Sequence, residues 1–262
     1  MDCPTLCQTL LSTQTTALPT HGIMHVSLHV GWAIVLAALA LRITGVPWRL
    51  RRAFGGLVAA WTVMPGSMSP AYWLGLAFQA PSLTLIVVSG IGLFIAARTP
   101  PPDEVASDRD TSPRAEGDTA LAANADARRL AAAERPSVAT RTPQRAIDAA
   151  SLAGILLGWL LLLDTFALLP FPLYAIGFSA AAVVVVAVLV TLPWIAFGAR
   201  EGGAMVALVG VLVLTLFVTM RLPTGNLWDA LLDPLLWVVL QVGWLGRALR
   251  PFTRRSAAAT RA

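Results

Sequence analysis

The chain has 262 residues, of which 56% are hydrophobic and only 13% are charged, and its mean hydropathy is +0.71. This composition excludes a soluble domain and indicates a membrane protein. All 19 basic residues are Arg; the absence of Lys excludes a Schiff base with pyridoxal phosphate and the lysine of a phosphate-binding loop. The net charge is +5, but the Arg residues flank apolar segments, so we expect a lipid bilayer, and no nucleic acid, as their partner.

Six long apolar runs predict the membrane-spanning segments. Each is about 20 residues or longer, enough for a helix to cross a hydrocarbon core of about 30 Å. The second run, residues 57–97, is long enough for two crossings. Its turn is predicted at residues 65–70 or, alternatively, at 79–82, and residues 53–65 are short enough to form a re-entrant segment instead. The runs cover residues 22–46, 57–97, 149–169, 171–199, 203–222 and 227–249.

The positions of the Arg residues predict the orientation, because cytoplasmic flanks of membrane helices collect Arg and Lys. If residues 57–97 cross twice, ten Arg residues outside the long linker lie on the inner side and only Arg221 lies outside. If residues 57–97 cross only once, five of these Arg residues lie on one side of the membrane and six on the other. We therefore predict an all-α, polytopic protein of about seven transmembrane helices in a 3+4 arrangement, with its N-terminus out and its C-terminus in.

A polar segment divides the predicted helices into two groups. It has 8 Arg and 9 acidic residues and few large apolar side chains, so it cannot bury enough apolar surface to become ordered. We predict a polar N-terminal tail (residues 1–21), a first helical group (22–97), a disordered cytoplasmic linker (98–148), a second helical group (149–250) and a basic C-terminal tail (251–262).

The three histidines of the chain, His21, His25 and His29, recur every four residues on one face of the first helix. The outer two are separated by about 12 Å along the axis, so one ion cannot bind all three, whereas a neighbouring pair can chelate a metal. A haem with two histidine ligands from one subunit is excluded, because the ligands must come from different helices; a histidine and a methionine remain possible. The alternative is that the imidazoles form hydrogen bonds across a helix interface.

Sulfur donors share the predicted outer side with these histidines. They are Cys3, Cys7, Met24, Met64, Met68 and Met220. Thioether and thiolate donors favour Cu(I), although each Met also serves for packing and the two Cys residues could form a disulfide. We therefore predict copper or haem as a cofactor, at a site formed by His21, His25, His29, Met64 and Met68.

A second predicted site on the outer side is a polar intramembrane cluster of Asp164, Arg221, Asp229 and Asp233. A carboxylate in apolar surroundings is costly unless it is paired, so we expect these groups to contact each other or water. A structural role is equally open: Asp229 follows Asn226 at a helix start, and Asp233 precedes Pro234.

No catalytic serine, metalloprotease motif or glycosidase acid pair is found, so an enzyme is not favoured. Arg in place of Lys, with abundant Ala, indicates a bacterium with GC-rich DNA and hence an inner membrane. Our hypothesis is that the protein handles a metal (copper) or haem at the periplasmic side, in the biogenesis of a respiratory complex. Two alternatives stay open: a non-catalytic assembly or accessory subunit bound to another membrane protein, and a small proton-coupled transporter.

Overall fold

The computed structural model describes residues 20–43, 47–98, 144–199 and 202–259, and all regular structure within these ranges is helical. Residues 1–19, including Cys3 and Cys7, lie outside them, as does most of the predicted linker. The helices are α1 His21–Ala40, α2 Trp48–Val63, α3 Pro70–Phe78, α4 Leu83–Arg98, α5 Gln144–Thr165, α6 Leu173–Ile176, α7 Ala180–Phe197, α8 Gly203–Met220, α9 Leu227–Leu231 and α10 Pro234–Ala259.

Four helices are long and apolar enough to cross a membrane: α1, residues Arg145–Thr165 of α5, α7 and α8. Helix α4 and the first part of α10, Pro234–Leu249, are apolar but shorter. The predictions of an all-helical fold and of membrane character are confirmed. Seven complete spans in a 3+4 arrangement are not confirmed, because three of the expected spans are each divided into two helices and α2 has only 16 residues.

The long apolar run at residues 57–97 contains both of the turns that the sequence suggests. The chain bends at residues 64–69 and again at residues 79–82, which leaves α3 as a separate short helix. The Ser69 hydroxyl caps α3 by accepting a hydrogen bond from the Ala71 amide over 3.1 Å, and Pro70 starts the helix. Gln79 ends it with a φ of 63°.

This run starts and finishes at the same end of the bundle. Arg52 Nη2 donates a hydrogen bond to the Ala97 carbonyl oxygen over 2.9 Å, so the beginning of α2 meets the end of α4. We call this the arginine end, and the opposite end, where His21 begins α1, the histidine end. Helix α1 packs against both α2 and α4.

In the second group, α5 and α10 pack closely against each other. Trp237 Nε1 donates to the Ile155 carbonyl oxygen over 3.2 Å, and Arg247 forms an ion pair with Asp148 over 3.0 Å. A Cβ atom at Gly158 would overlap the ring of Trp237. The glycine is therefore what allows the two helices to approach.

The largest buried cluster joins the two groups. It lies between α4, α7, α8 and α9, and its fully or almost fully buried members include Val213, Phe217 and Leu227. Leu83 and Val87 of α4 are the contribution of the first group. The helices from the two sides of the undescribed segment thus share one core.

Replacing Gly158 with Ala tests the close packing of α5 and α10. Overpacking against a rigid indole ring is expected to lower the free energy of unfolding by about 1–3 kcal/mol. Gly246→Ala in α10 is the matched control, because nothing lies within 4 Å of a Cβ there. Thermal unfolding of the two variants in detergent measures the difference; equal melting temperatures would show that the Gly158 contact does not limit packing.

Candidate functional site

A groove of about 280 Å³ opens at the histidine end. It lies between α1, α3 and the loop that connects α8 to α9. Its polar groups are the imidazoles of His21 and His25, the amide of Gln79 and the hydroxyl of Thr224. The lining residues are His21, Met24, His25, Leu28, Gly75, Gln79, Ala80, Pro223 and Thr224.

The three histidines form a stack that runs from this groove into the bundle. The ring centroids are 6.4 Å apart for His21 and His25 and 4.6 Å apart for His25 and His29, with interplanar angles of 29° and 27°. His29 is 6% exposed, and its Nδ1 lies 3.0 Å from the His25 carbonyl oxygen. Because a carbonyl only accepts, Nδ1 carries the proton. The Nε2 atom of His29 is buried and has no hydrogen-bond partner among the described residues.

The predicted metal ligands are not brought together in one groove. His25 and His29 stack face to face, whereas a chelating pair must aim its ring nitrogens at one point. Met64 and Met68 lie in the bend after α2, are 58% and 83% exposed, and do not line the groove. Over the described ranges, no three His, Cys, Asp or Glu side chains form a group that could hold a metal ion.

Two helix breaks meet next to the groove, and the first of them contributes Gln79 and Ala80 to its lining. One is the segment 79–82 between α3 and α4, and the other is residues 232–233 between α9 and α10. Asp233 Oδ2 accepts a hydrogen bond from the Ser82 amide over 2.6 Å, and its Oδ1 accepts one from the Leu236 amide over 2.6 Å. Asp233 is 7% exposed. Its carboxylate therefore caps α10 and at the same time bonds to the start of α4.

The break after α3 is held in place from α1. Trp32 Nε1 donates to the Gln79 carbonyl oxygen over 3.0 Å, and Trp32 is only 2% exposed. A Cβ at Gly31 would lie 2.8 Å from Pro81, so the chain passes close to α1 at this point. The floor of the groove, Gln79 and Ala80, is thus fixed by contacts with a helix that also carries the histidines.

The predicted polar cluster is divided. Asp164 Oδ2 accepts from the Tyr174 amide over 2.7 Å, while Asp229 Oδ2 accepts from the Tyr174 hydroxyl over 2.9 Å and from the Thr224 hydroxyl. These two carboxylates share one tyrosine rather than contact each other. Asp233 is not part of this contact; its carboxylate bonds to the backbone at the two helix breaks.

Arg221 does not pair with these acids. It ends α8 with a φ of 55°, and its guanidinium lies 5.3 Å from the Phe217 ring centroid. Its Nη1 is buried without a hydrogen-bond partner within the described ranges. The expected contact between Arg221 and the carboxylates is therefore absent from this part of the chain.

Several residues that shape the site were not among the predicted ones. They are Tyr174, Gln79 and Asn226. Asn226 is fully buried. Its side chain accepts a hydrogen bond from the Trp228 amide over 2.9 Å, which caps α9, and donates one to the Tyr174 carbonyl oxygen over 3.0 Å. The recurrence of a polar cap next to a proline, as in Pro81-Ser82 and Asp233-Pro234, is the signal that indicates the two breaks.

Comparison with protein-family models, with curated proteins and with solved structures gave no match for this chain. Its function is therefore inferred from its own residues.

The pKa of Tyr174 tests the contact between Tyr174 and Asp229. Burial, together with the charge of Asp229 and the hydrogen bond to it, raises this pKa from 10.0 to about 12. A raised phenol pKa means that the neutral form is favoured in the folded protein, so this stabilisation is present below pH 10 and is lost as the pH rises through 12.

In a Tyr72→Phe background, where Tyr174 is the last tyrosine, Asp229→Asn is expected to lower this pKa towards 10.0. Ultraviolet titration of the phenolate measures the shift. Asp148→Asn, which lies in the α5–α10 ion pair, is the control and should leave the curve unchanged. An unchanged curve in Asp229→Asn would contradict the contact between Tyr174 and Asp229.

Proposed function

We propose that this chain is a small proton-coupled carrier of a bacterial inner membrane, which binds a small polar solute in the groove at the histidine end. The observation that carries the proposal is a broken helix that forms the floor of a polar groove and is bonded, at Ser82, to a second helix break at Asp233. In secondary transporters, broken helices of this kind place backbone groups and helix termini at the substrate site. Irregular backbone inside a membrane is tolerated where it is buried or lines a cavity.

The distribution of Arg residues supports a periplasmic opening for the groove. Arg42, Arg49, Arg51, Arg52, Arg98 and Arg247 gather at the arginine end, and the histidine end has Arg221. The positive-inside rule then directs the arginine end to the cytoplasm. Because residues 57–97 begin and finish at that end, this orientation holds whether α2 crosses fully or re-enters.

The lining of the groove favours a small, uncharged or anionic solute. Imidazole, amide and hydroxyl groups offer both donors and acceptors, and among the described residues no carboxylate lines the groove. The volume of about 280 Å³ is near the lower limit for small-molecule sites. Histidine is the side chain that most readily exchanges protons near neutral pH, so we assign proton coupling to His21 and His25, which line the groove.

A soft metal ion is the second candidate. Met24 lines the same groove as His21 and His25, and thioether and imidazole donors together favour Cu(I). This donor set differs from the predicted one, because Met24 takes the place of Met64 and Met68. An accessory role beside another membrane protein has no comparable observation in its favour, since the exposed apolar faces of α7 and α8 suit lipid equally well.

Gln79→Ala tests the groove as the binding site. Purified protein is screened by thermal stabilisation against small carboxylates, amides, amines and Cu(I), and uptake of each hit is measured in proteoliposomes with an imposed pH gradient. Loss of one hydrogen bond to the solute is expected to weaken binding about tenfold. Gln241→Ala in α10 is the matched control, because Gln241 does not line the groove.

The outcomes separate the two candidates. Uptake of an organic solute that requires the pH gradient, Gln79 and His25 supports the carrier. Binding of Cu(I) that is lost in Met24→Leu with His25→Ala, without uptake of any solute, supports the metal site instead. Equal behaviour of Gln79→Ala and Gln241→Ala towards every hit would contradict the groove as the binding site.

A further inference from the structure

A second cavity, of about 520 Å³, lies at the arginine end, opposite to the groove. It lies beside the end of α1 and the first turns of α2. Five of its six lining residues are apolar, and the sixth is Arg51. The apolar side chains are left largely uncovered: Leu50, Phe54 and Leu57 are 59%, 49% and 67% exposed. The lining residues are Ile43, Leu50, Arg51, Ala53, Phe54 and Leu57.

Two guanidinium groups flank an indole ring beside this cavity. The Cζ atoms of Arg51 and Arg52 lie 5.4 Å and 5.3 Å from the ring centroid of Trp48. Arg52 also donates to the Ala97 carbonyl oxygen, whereas Arg51 Nε and Trp48 Nε1 are buried without a hydrogen-bond partner in the described ranges. Two N–H donors next to the cavity therefore lack an acceptor, which a bound oxyanion would supply.

The first helical group has no acidic residue that could neutralise these arginines. Residues 20–98 contain five Arg and no Asp or Glu. The one ion pair found in the described ranges, Asp148 with Arg247, belongs to the second group. The counter-charge for Arg51 must therefore come from outside this group, and guanidinium binds phosphate well because its planar donors match the oxygens.

We propose that the cavity at Arg51 binds an anionic phospholipid, with its phosphate at Arg51 and Trp48 and an acyl chain along Leu50, Phe54 and Leu57. Charge complementarity selects an anion, and the five apolar lining residues select an anion that carries a hydrocarbon chain. The combination of a basic pocket with an apolar wall at an intramembrane helix surface is typical of lipid headgroup sites. This proposal does not depend on the function of the groove.

The experiment is a titration of the full chain in detergent with phosphatidylglycerol and with phosphatidylcholine of the same acyl chains, followed by native mass spectrometry and thermal unfolding. Saturable binding and a higher melting temperature are expected with phosphatidylglycerol alone. Arg51→Gln should weaken its affinity tenfold or more. Arg49→Gln is the matched control on the same helix; it removes the same charge outside the cavity and should change the affinity less than twofold.

Phe54→Ala and inorganic phosphate complete the test. Phe54→Ala should weaken phosphatidylglycerol binding without removing any charge, so it keeps the proposal testable if Arg51→Gln does not fold. Equal binding of the two lipids, equal effects of Arg51→Gln and Arg49→Gln, or full stabilisation by inorganic phosphate alone would each overturn the proposal; the last would indicate a site for a free anion.

Discussion

The carboxylate of Asp233 joins two helix starts that lie far apart in the chain. Its partners are the amide of Ser82, 151 residues away, and the amide of Leu236 one turn into α10. Burying a carboxylate is unfavourable unless it is hydrogen-bonded. Here both oxygens accept from amides at helix N-termini, where the helix dipole also favours negative charge. One side chain thus stabilises two breaks that would otherwise leave backbone amides unsatisfied inside an apolar bundle.

The groove depends on these breaks. If α3 and α4 were one continuous helix, Gln79 and Ala80 would be part of its hydrogen-bonded backbone and would not provide a floor beneath His21 and His25. Instead, Trp32 binds the Gln79 carbonyl oxygen, and the Thr84 hydroxyl lies 3.4 Å from the carbonyl oxygen of Ala230. A contact from α1 therefore holds the broken segment and a contact from α9 holds the first turn of α4, and the polar groups at the histidine end are a consequence of that arrangement.

The sequence predicts much of this fold, because apolar runs and turn residues are local signals. The helical membrane character, the bend at residues 64–69 and the helix start at Asp233-Pro234 all follow from such patterns. The sequence predicts one of two alternative turns in residues 57–97, and the structure has both. Length alone cannot show this, because the 41-residue run can hold two plain crossings or, as found, the last seven residues of α2 followed by α3 and α4 with a break between them.

The site was harder to predict, because it depends on side-chain directions and on distant partners. Spacing by four residues places the histidines on one face, but whether they chelate or stack is decided by their rotamers and by the His29 bond to the His25 backbone. The acids were expected to meet each other; two of them instead meet Tyr174, and Asp233 meets the backbone of the first helical group. No local pattern reports a partner that is 151 residues away.

Amide hydrogen exchange of Asp233→Asn, compared with the unmodified protein and with Asp148→Asn, tests most directly whether one carboxylate holds both breaks. Weakening two charge-assisted hydrogen bonds is expected to speed exchange about tenfold or more in the peptide containing Ser82 and in the peptide containing Leu236, while α7 stays unchanged. Faster exchange around Leu236 alone, with Ser82 as protected as before, would contradict the account.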